Sequence, residues 1–289
     1  LKQADFDRLR EYIYRESGIY FEDNKLYYVE KRVQQQMEKY KFADLATYLG
    51  ALKFDSTGRM RQELLNQLTV NETYFFREYD QLKCLAEEVI PLWAEDGLES
   101  KGLKIWCAGC SSGEEAYTIA IVMQEMLPGF PWEIHATDIN TEVLTRGARG
   151  IYNYYAVRQV PEAYLKRYFV RVGESYAVSA ELKQKVKFYQ LNLVDETAMR
   201  NMRGFHAIFC RNVLIYFDDI SRRRVALHFY RALEPGGYIF LGHSESMSRI
   251  STVFKPVRFQ NAIIYKKEKG HEEWPESAQP GSAFPRQER

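Results

Sequence analysis

Cysteine is scarce, net charge is almost nil, and no apolar run is long. The four cysteines, at 84, 107, 110 and 210, stand in apolar contexts rather than in a loop-rich disulfide framework, which predicts reduced thiols in a cytoplasmic protein. A formal net charge of +1 argues against binding driven by phosphate neutralisation, so nucleic acid is not an expected partner. No apolar stretch approaches the roughly 18 residues of a membrane span, so no direct membrane insertion is expected. The five histidines show no metal-ligand spacing and no Walker phosphate loop exists, so no metal is expected. Cys107-x-x-Cys110 lacks a second pair, and its spacing follows from a strand running into a turn. Gly242-His243-Ser244-Glu245-Ser246 lacks the closing glycine of a serine nucleophile elbow. Leu1 to Phe6 is neither a signal peptide nor a natural start, so further residues are expected upstream.

The 289 residues suffice for one large domain or two unequal ones. Residues 4 to about 70 read as short amphipathic helices with turns at Ser17-Gly18 and Ser56-Thr57-Gly58. In the second helix Leu26, Val29, Val33, Met37 and Tyr40 form an apolar stripe at three- and four-residue spacing. Lys25, Arg32 and Lys39, seven apart, share another face with Gln35 and Gln36. Such a stripe is either a solvated surface or a docking face for an acidic helical partner.

From about 103 onward strands alternate with helices. Strands are predicted at 103–108, 132–137, 186–191, 205–210 and 237–242, and helices at 113–127, 140–147 and 221–233. This pattern predicts a doubly wound, mostly parallel sheet with ligands at the carboxyl ends of its strands. Ser221 is the expected N-cap of the last helix, Glu234-Pro235-Gly236-Gly237 its stop, and Arg222-Arg223-Arg224 a wet face. Phe254–Phe259 and Ala262–Tyr265 around Gln260-Asn261 predict a closing antiparallel hairpin, which favours a class I methyltransferase over a dehydrogenase. Residues 163–190 read as an inserted β-subdomain, with strands at Tyr168–Val172 and Tyr176–Ser179 around Gly173-Glu174. The Pro-, Glu-, Ser- and Gly-rich segment 268–289 reads as a disordered tail.

The chemistry concentrates in Lys104-Ile105-Trp106-Cys107-Ala108-Gly109-Cys110-Ser111-Ser112-Gly113-Glu114-Glu115 and, 23 residues beyond Glu115, Asp138. A buried strand breaks into a small-residue turn, and the next strand ends in an acid placed to accept from both hydroxyls of a ribose. Gly109 and Gly113 do not spell the full dinucleotide fingerprint, and Glu114 and Glu115 would repel a pyrophosphate. S-adenosylmethionine, which has no phosphate, tolerates all three features. Glu114 and Glu115 can also serve as first-turn acids facing the helix dipole, with Glu115 the better placed for the cofactor. Asp138 could instead cap the next helix, a task open to Asn140 or Thr141.

Five motifs in order carry a family resemblance: Asn71-Glu72-Thr73-Tyr74-Phe75-Phe76-Arg77, Gly113-Glu114-Glu115-Ala116-Tyr117, Ala136-Thr137-Asp138-Ile139-Asn140, Cys210-Arg211-Asn212-Val213-Leu214-Ile215-Tyr216-Phe217 and Leu241-Gly242-His243-Ser244-Glu245. Over residues from about 5 to 267 the chain resembles the CheR family of chemotaxis receptor methyltransferases. The resemblance implies a class I methyltransferase domain at 71–267 with the inserted β-subdomain, preceded by an all-α receptor-docking domain at 1–70. It further implies S-adenosylmethionine as cofactor and methyl transfer to glutamates in receptor cytoplasmic helices, by a cytoplasmic monomer. Cofactor contacts carried over are Asn71, Thr73, Arg77, Glu115, Asp138, Asn192, Leu193, Arg211 and Asn212.

Bland readings accompany several of these. Thr69-Val70-Asn71-Glu72 fits a helix capping box, and Asn192 could simply end a strand. Glutamate, with an unperturbed pKa of about 4.3, is already a nucleophile at neutral pH. Its carboxylate attacks the sulfonium methyl in line, giving a methyl ester and S-adenosylhomocysteine, so positioning and water exclusion are what the enzyme must supply. Tyr216 is the expected aromatic near the methyl, or else a packed neighbour of Phe217. Arg77 is expected to orient either the attacking carboxylate or the methionine carboxylate. Gln34-Gln35-Gln36 thins the positive charge of the docking helix, which predicts salt-sensitive receptor binding through Lys25, Arg32 and Lys39. The inserted segment resembles the small β-subdomain that in some family members grips a pentapeptide at the receptor C-terminus; the short Val172–Tyr176 stretch favours recognition independent of it. The alternatives are a methyltransferase for another protein or small molecule, and a catalytically inactive scaffold.

Overall fold

The computed structural model describes residues 3–97 and 102–268; the predicted tail from 269 onward lies outside them. Four helices open the chain: α1 Gln3–Ser17, α2 Leu26–Tyr40, α3 Leu45–Phe54 and α4 Arg59–Leu68. A segment without regular structure, residues 69–78, leads into α5 Tyr79–Cys84, which runs through a π-helical turn, Leu85–Val89, into α6 Ile90–Glu95. No helix begins at Thr69. That residue ends α4 in extended geometry, so a capping box plays no part there.

The alternating pattern then builds the main sheet. Its strands are β1 Leu103–Ala108, β2 Trp132–Asp138, β6 Val186–Gln190, β7 Phe205–Cys210, β8 Leu233–Leu241, β9 Phe254–Arg258 and β10 Ile263–Lys267, in spatial order β6-β2-β1-β7-β8-β10-β9. The first five are parallel, and β10 pairs antiparallel with both β8 and β9. This is a class I S-adenosylmethionine-type methyltransferase fold. The order reverses between β1 and β7, and a crevice is expected outside the strand ends there. Helices α7 Glu114–Met126, α8 Thr141–Arg149, α12 Glu196–Met199 and α13 Asp219–Ala232 connect the strands.

Three local expectations change. Asp218, not Ser221, caps α13 by accepting the Ser221 N–H at 2.8 Å; that N–H lies in the first turn, where no helical carbonyl is available to it. Strand β8 starts at Leu233, and Glu234–Gly237 form an irregularity inside it, between the Phe205–Leu233 and Ala207–Tyr238 pairs. Arg222 is not a wet face residue: its Nε donates to the Leu214 carbonyl at 2.9 Å, which ties α13 to the loop after β7.

The small antiparallel sheet, in order β3-β5-β4, comprises β3 Ile151–Tyr152, β4 Phe169–Val172 and β5 Ser175–Val178. It starts earlier than residue 163, because Tyr152 pairs with Tyr176, whereas Val186–Gln190 belongs to the main sheet. Short helices α9 Tyr154–Val157, α10 Glu162–Tyr168 and α11 Ala180–Lys185 surround it.

The helical region shares a core with the sheet. Phe6, Leu9 and Ile13 of α1 are fully buried in the same cluster as Trp106, Leu214 and Phe217. Polar bonds reinforce the junction: Asn140 Nδ2 donates to the Asn66 carbonyl at 3.0 Å, and Gln62 Nε2 to the Ile139 carbonyl at 2.8 Å. Among the described residues no helix is long and apolar enough to cross a membrane.

Candidate active site

The loop after β1 is shaped by backbone bonds. The N–H groups of Gly109 and Cys110 both donate to the Thr137 carbonyl, at 2.8 and 2.9 Å, so the turn lies across the end of β2. Gly109 sits at φ +84°, and a Cβ there would meet Val213 Cγ2 at 2.4 Å. Only glycine allows the turn and the loop after β7 to approach so closely.

Asp138 ends β2 and is 8% exposed. One oxygen accepts the Ser111 N–H and the other the Asn140 N–H, each at 2.9 Å. Burial pushes its pKa up, against the pull of those bonds and of one from Ile139. Helix α8 is capped by Asn140, which accepts from Glu142 and Val143. Asp138 is therefore free of capping duty, and each oxygen keeps a lone pair directed elsewhere.

Arg211, just after β7, has its side chain 5% exposed and donates through Nε to Glu115 and through Nη1 to the Arg77 carbonyl at 2.9 Å. It thereby joins three of the sequence motifs. The Arg77 guanidinium donates to the Glu72 carbonyl at 2.9 Å and stays half-exposed. Asn212 occupies the left-handed region at φ +59°. It is held there by Glu245, whose carboxylate accepts N–H groups from Asn212 and Gly242 at 2.8 Å, Val213 at 3.1 Å and Ile215 at 3.3 Å.

These elements enclose a cavity of about 220 Å³ at the strand ends. Its lining brings together Asn71, Thr73, Arg77, Gly109, Glu115, Asp138, Asn192, Leu193, Arg211, Asn212 and Tyr216. Tyr216 is half-buried, and burial beside Tyr28 pushes its phenol pKa up. Asn192 also donates to the Glu16 carbonyl at 2.8 Å, so it fastens the end of α1 rather than merely ending β6. Asn71 reaches back to Thr69, and its own carbonyl accepts from Ser111 at 3.1 Å.

Two expected contacts stand apart. Glu114 does not line the cavity: it is 4% exposed and accepts from Ser112 Oγ at 2.8 Å, with burial raising its pKa. Neighbouring residues on a helix point about 100° apart, and as α7 is packed Glu115 faces the cavity while Glu114 turns toward Ser112. Gly113 likewise packs behind it; a Cβ there would meet the Phe188 ring at 2.7 Å.

The docking stripe is uneven. Lys25 is exposed in the 3-10 turn ahead of α2, Arg32 stacks over Tyr28 at 3.8 Å, and Lys39 is paired with Glu63 at 2.5 Å. Gln36 leaves that face altogether, being 1% exposed. Sequence reasoning missed Glu245 and the contribution of Ser17 and Ile19, which also line the cavity. The Glu245 signal lay inside a quoted motif, but three of its four bonds run to residues 30 to 33 positions away, and only the one from Gly242 is local.

The N-terminal helices match the CheR methyltransferase all-alpha domain over residues 4–69, and the sheet region matches the CheR methyltransferase SAM-binding domain over residues 71–263. The chain belongs to the CheR methyltransferase family. It is 42% identical over 278 residues to chemotaxis protein methyltransferase 2 of Vibrio cholerae, covering 93% of this chain and 95% of that one. It is 34% identical over 276 residues to the chemotaxis protein methyltransferase of Salmonella typhimurium, covering 93% and 92%. This CheR protein is therefore a chemotaxis methyltransferase that uses S-adenosylmethionine.

Proposed function

We propose that this CheR protein methylates the side-chain carboxylates of glutamates in the cytoplasmic helices of chemotaxis receptors. The observation that carries the reading is one cavity whose lining holds Asp138, Arg77 and Tyr216 together. An acceptor that is already ionised needs a positioned cation and an aromatic wall more than a proton acceptor.

The donor set suits S-adenosylmethionine. Asp138 offers two acceptor oxygens to a diol, and Leu68, Ile139 and Leu191 supply an apolar wall for a purine. Glu115 would face the ammonium of the methionine portion, neutralised on its other side by Arg211. Asn71, Thr73, Asn192 and Asn212 add polar contacts. When bound, the cofactor supplies an electrophilic methyl on sulfur. Arg77 would hold a carboxylate, and a half-exposed guanidinium can do so without neutralising it fully. Tyr216, with its phenol kept protonated by burial, would orient the acceptor and present a π-face to the reacting cation. Closure of the receptor helix over the cavity would exclude water from both reactants.

Receptor docking through Lys25 and Arg32, independent of a receptor C-terminal pentapeptide, is part of the same reading. Its support is the exposed position of Lys25 just ahead of α2 and the stacked Arg32 on that helix. The deciding experiment transfers labelled methyl from S-adenosylmethionine to a receptor cytoplasmic fragment and treats the product with mild base. Base-labile label expected on glutamates supports the reading; label that is base-stable, or absent from the fragment, refutes it.

A further inference from the structure

Three side chains outside the cavity lining, Tyr74, Tyr155 and Arg158, form a stack. Tyr74 sits in sequence between the cavity-lining Thr73 and Arg77. The Arg158 guanidinium carbon lies 4.1 Å from the Tyr74 ring centre and 3.7 Å from the Tyr155 ring centre, so the cation is sandwiched. The Arg77 guanidinium carbon lies 6.0 Å from the same Tyr74 ring. Cavity cation and stacked cation are thus neighbours through one shared aromatic.

The arrangement is built from the backbone outward. Phe75 N–H donates to the Ala156 carbonyl at 3.0 Å, which fixes the 71–77 segment against α9. Asn153 caps that helix by accepting the Ala156 N–H at 3.0 Å. Arg158 follows directly and donates through Nη1 to the Tyr155 carbonyl. Among the described residues neither Arg77 nor Arg158 has a carboxylate partner; their bonds go to carbonyls. Tyr154 and Tyr155 beside them are 71% and 56% exposed.

We propose that Arg158, held between Tyr74 and Tyr155, is a docking cation for the acceptor helix and binds an acidic residue on the same helix as the methylated glutamate. The inference rests on the reading that a receptor helix is the substrate. A stacked arginine is weakly hydrated and already ordered, so it loses little rotamer freedom on meeting a carboxylate. Tyrosines at the rim add rigid, amphipathic contact area of the kind enriched in interfaces. Two acids one or two turns apart on a helix, roughly 5 to 11 Å along its axis, would meet Arg77 and Arg158 together. The pair would select an acidic helical acceptor and set its register over the cavity.

The test uses the full chain. Initial rates of labelled methyl transfer to a receptor cytoplasmic fragment are measured over a range of fragment concentrations for wild type, Arg158→Lys, Arg158→Gln and Arg158→Glu. S-adenosylhomocysteine affinity is measured by calorimetry in parallel. The expected result is a rise in KM for the fragment of roughly three- to tenfold for Gln, smaller for Lys and larger for Glu, with the effect on KM rather than kcat. The Gln variant should also show a shallower dependence of KM on salt. A stack that serves only as a surface staple would leave KM within about twofold of wild type in all three variants, and that result overturns the proposal while leaving the receptor reading intact. If wild type itself transfers no base-labile methyl to the fragment, the receptor reading falls and this inference falls with it.

Discussion

Replacing Glu245 by Gln removes one charge and one acceptor from the residue that holds the loop after β7. In wild type each carboxylate oxygen accepts two backbone N–H groups. Glutamine can keep its oxygen where the shorter bonds are, to Asn212 and Gly242, both 2.8 Å. Its NH₂ must then face the N–H groups of Val213 and Ile215, donor against donor. Ile215 is exposed and can turn to water, but the half-buried Val213 N–H is stranded at a cost of about 1–3 kcal/mol. The two retained bonds also become neutral, losing about 1 kcal/mol each. Against this stands the burial of the charge. Burial raises the Glu245 pKa despite the backbone bonds, so this group's stabilising contribution is full below its unfolded pKa and is lost as pH rises through the folded one. Near neutral pH wild type therefore carries a charge penalty that Gln avoids. Because the raised pKa is net of the backbone bonds, the penalty avoided offsets the weakening of the two retained ones, and the net expectation is a destabilisation of about 1–3 kcal/mol from the stranded N–H, survivable for a domain of ordinary stability. Because the loop carries Arg211, Asn212 and Tyr216, cofactor affinity should fall by roughly tenfold or more, about 1.4 kcal/mol. Urea unfolding followed by tryptophan fluorescence gives the first quantity, and calorimetric titration with S-adenosylhomocysteine the second. An unchanged unfolding midpoint together with wild-type affinity would refute the assignment of Glu245 as the anchor of this loop.

Gly109→Ala should lower stability by about 2–4 kcal/mol, from left-handed strain plus a contact with a stiff valine, and unfolding in urea measures it. Asp138→Asn should weaken S-adenosylmethionine binding by roughly 10- to 100-fold, since one oxygen of the acceptor pair becomes a donor. In wild type the same affinity should decline on acidification: the Asp138 pKa is raised above its ordinary 3.8, so the carboxylate that accepts the ribose hydroxyls is lost as pH falls through that raised value, and calorimetry across pH should find the decline missing in the Asn variant. The double reversal Lys25→Glu with Arg32→Glu should raise KM for a receptor fragment by roughly fivefold in low salt, and unchanged kinetics would remove α2 from docking. Lys39→Glu would instead place like charges against Glu63, so its effect should appear in thermal unfolding as well as in KM.

The alternation of strand and helix was legible because its two periods, 2 and 3.6, are written in the order of apolar residues. The strand-end acid was legible too: Asp138 follows an apolar run and precedes a separate capping residue, Asn140. Glu115 and Glu114 show where such reading stops. Both are acids in the first turn of one helix, and only the packed direction of that helix decides that one lines the cavity and the other turns toward Ser112. Gln36 fails for a related reason. It was placed with the charged stripe by spacing, but the buried line of α2 runs through Val29, Val33 and Gln36, and a neutral polar side chain can be carried inward where a lysine is not.

By itself, the order of residues determined the fold class, the cofactor class and the family, because these follow from local periodicity, turn chemistry and short motifs that each lie within about a dozen positions. Tertiary structure decided the joins. Arg211 meeting Glu115 and the Arg77 carbonyl, Glu245 gathering four N–H groups of the neighbouring strand-end loops, and Arg158 entering between Tyr74 and Tyr155 mostly link segments far apart along the chain. Such contacts depend on which strand ends the sheet order makes adjacent. A hydrogen bond or a stacked cation is specified by a few tenths of a nanometre in space, and no spacing along the chain encodes that distance until the sheet has closed around it.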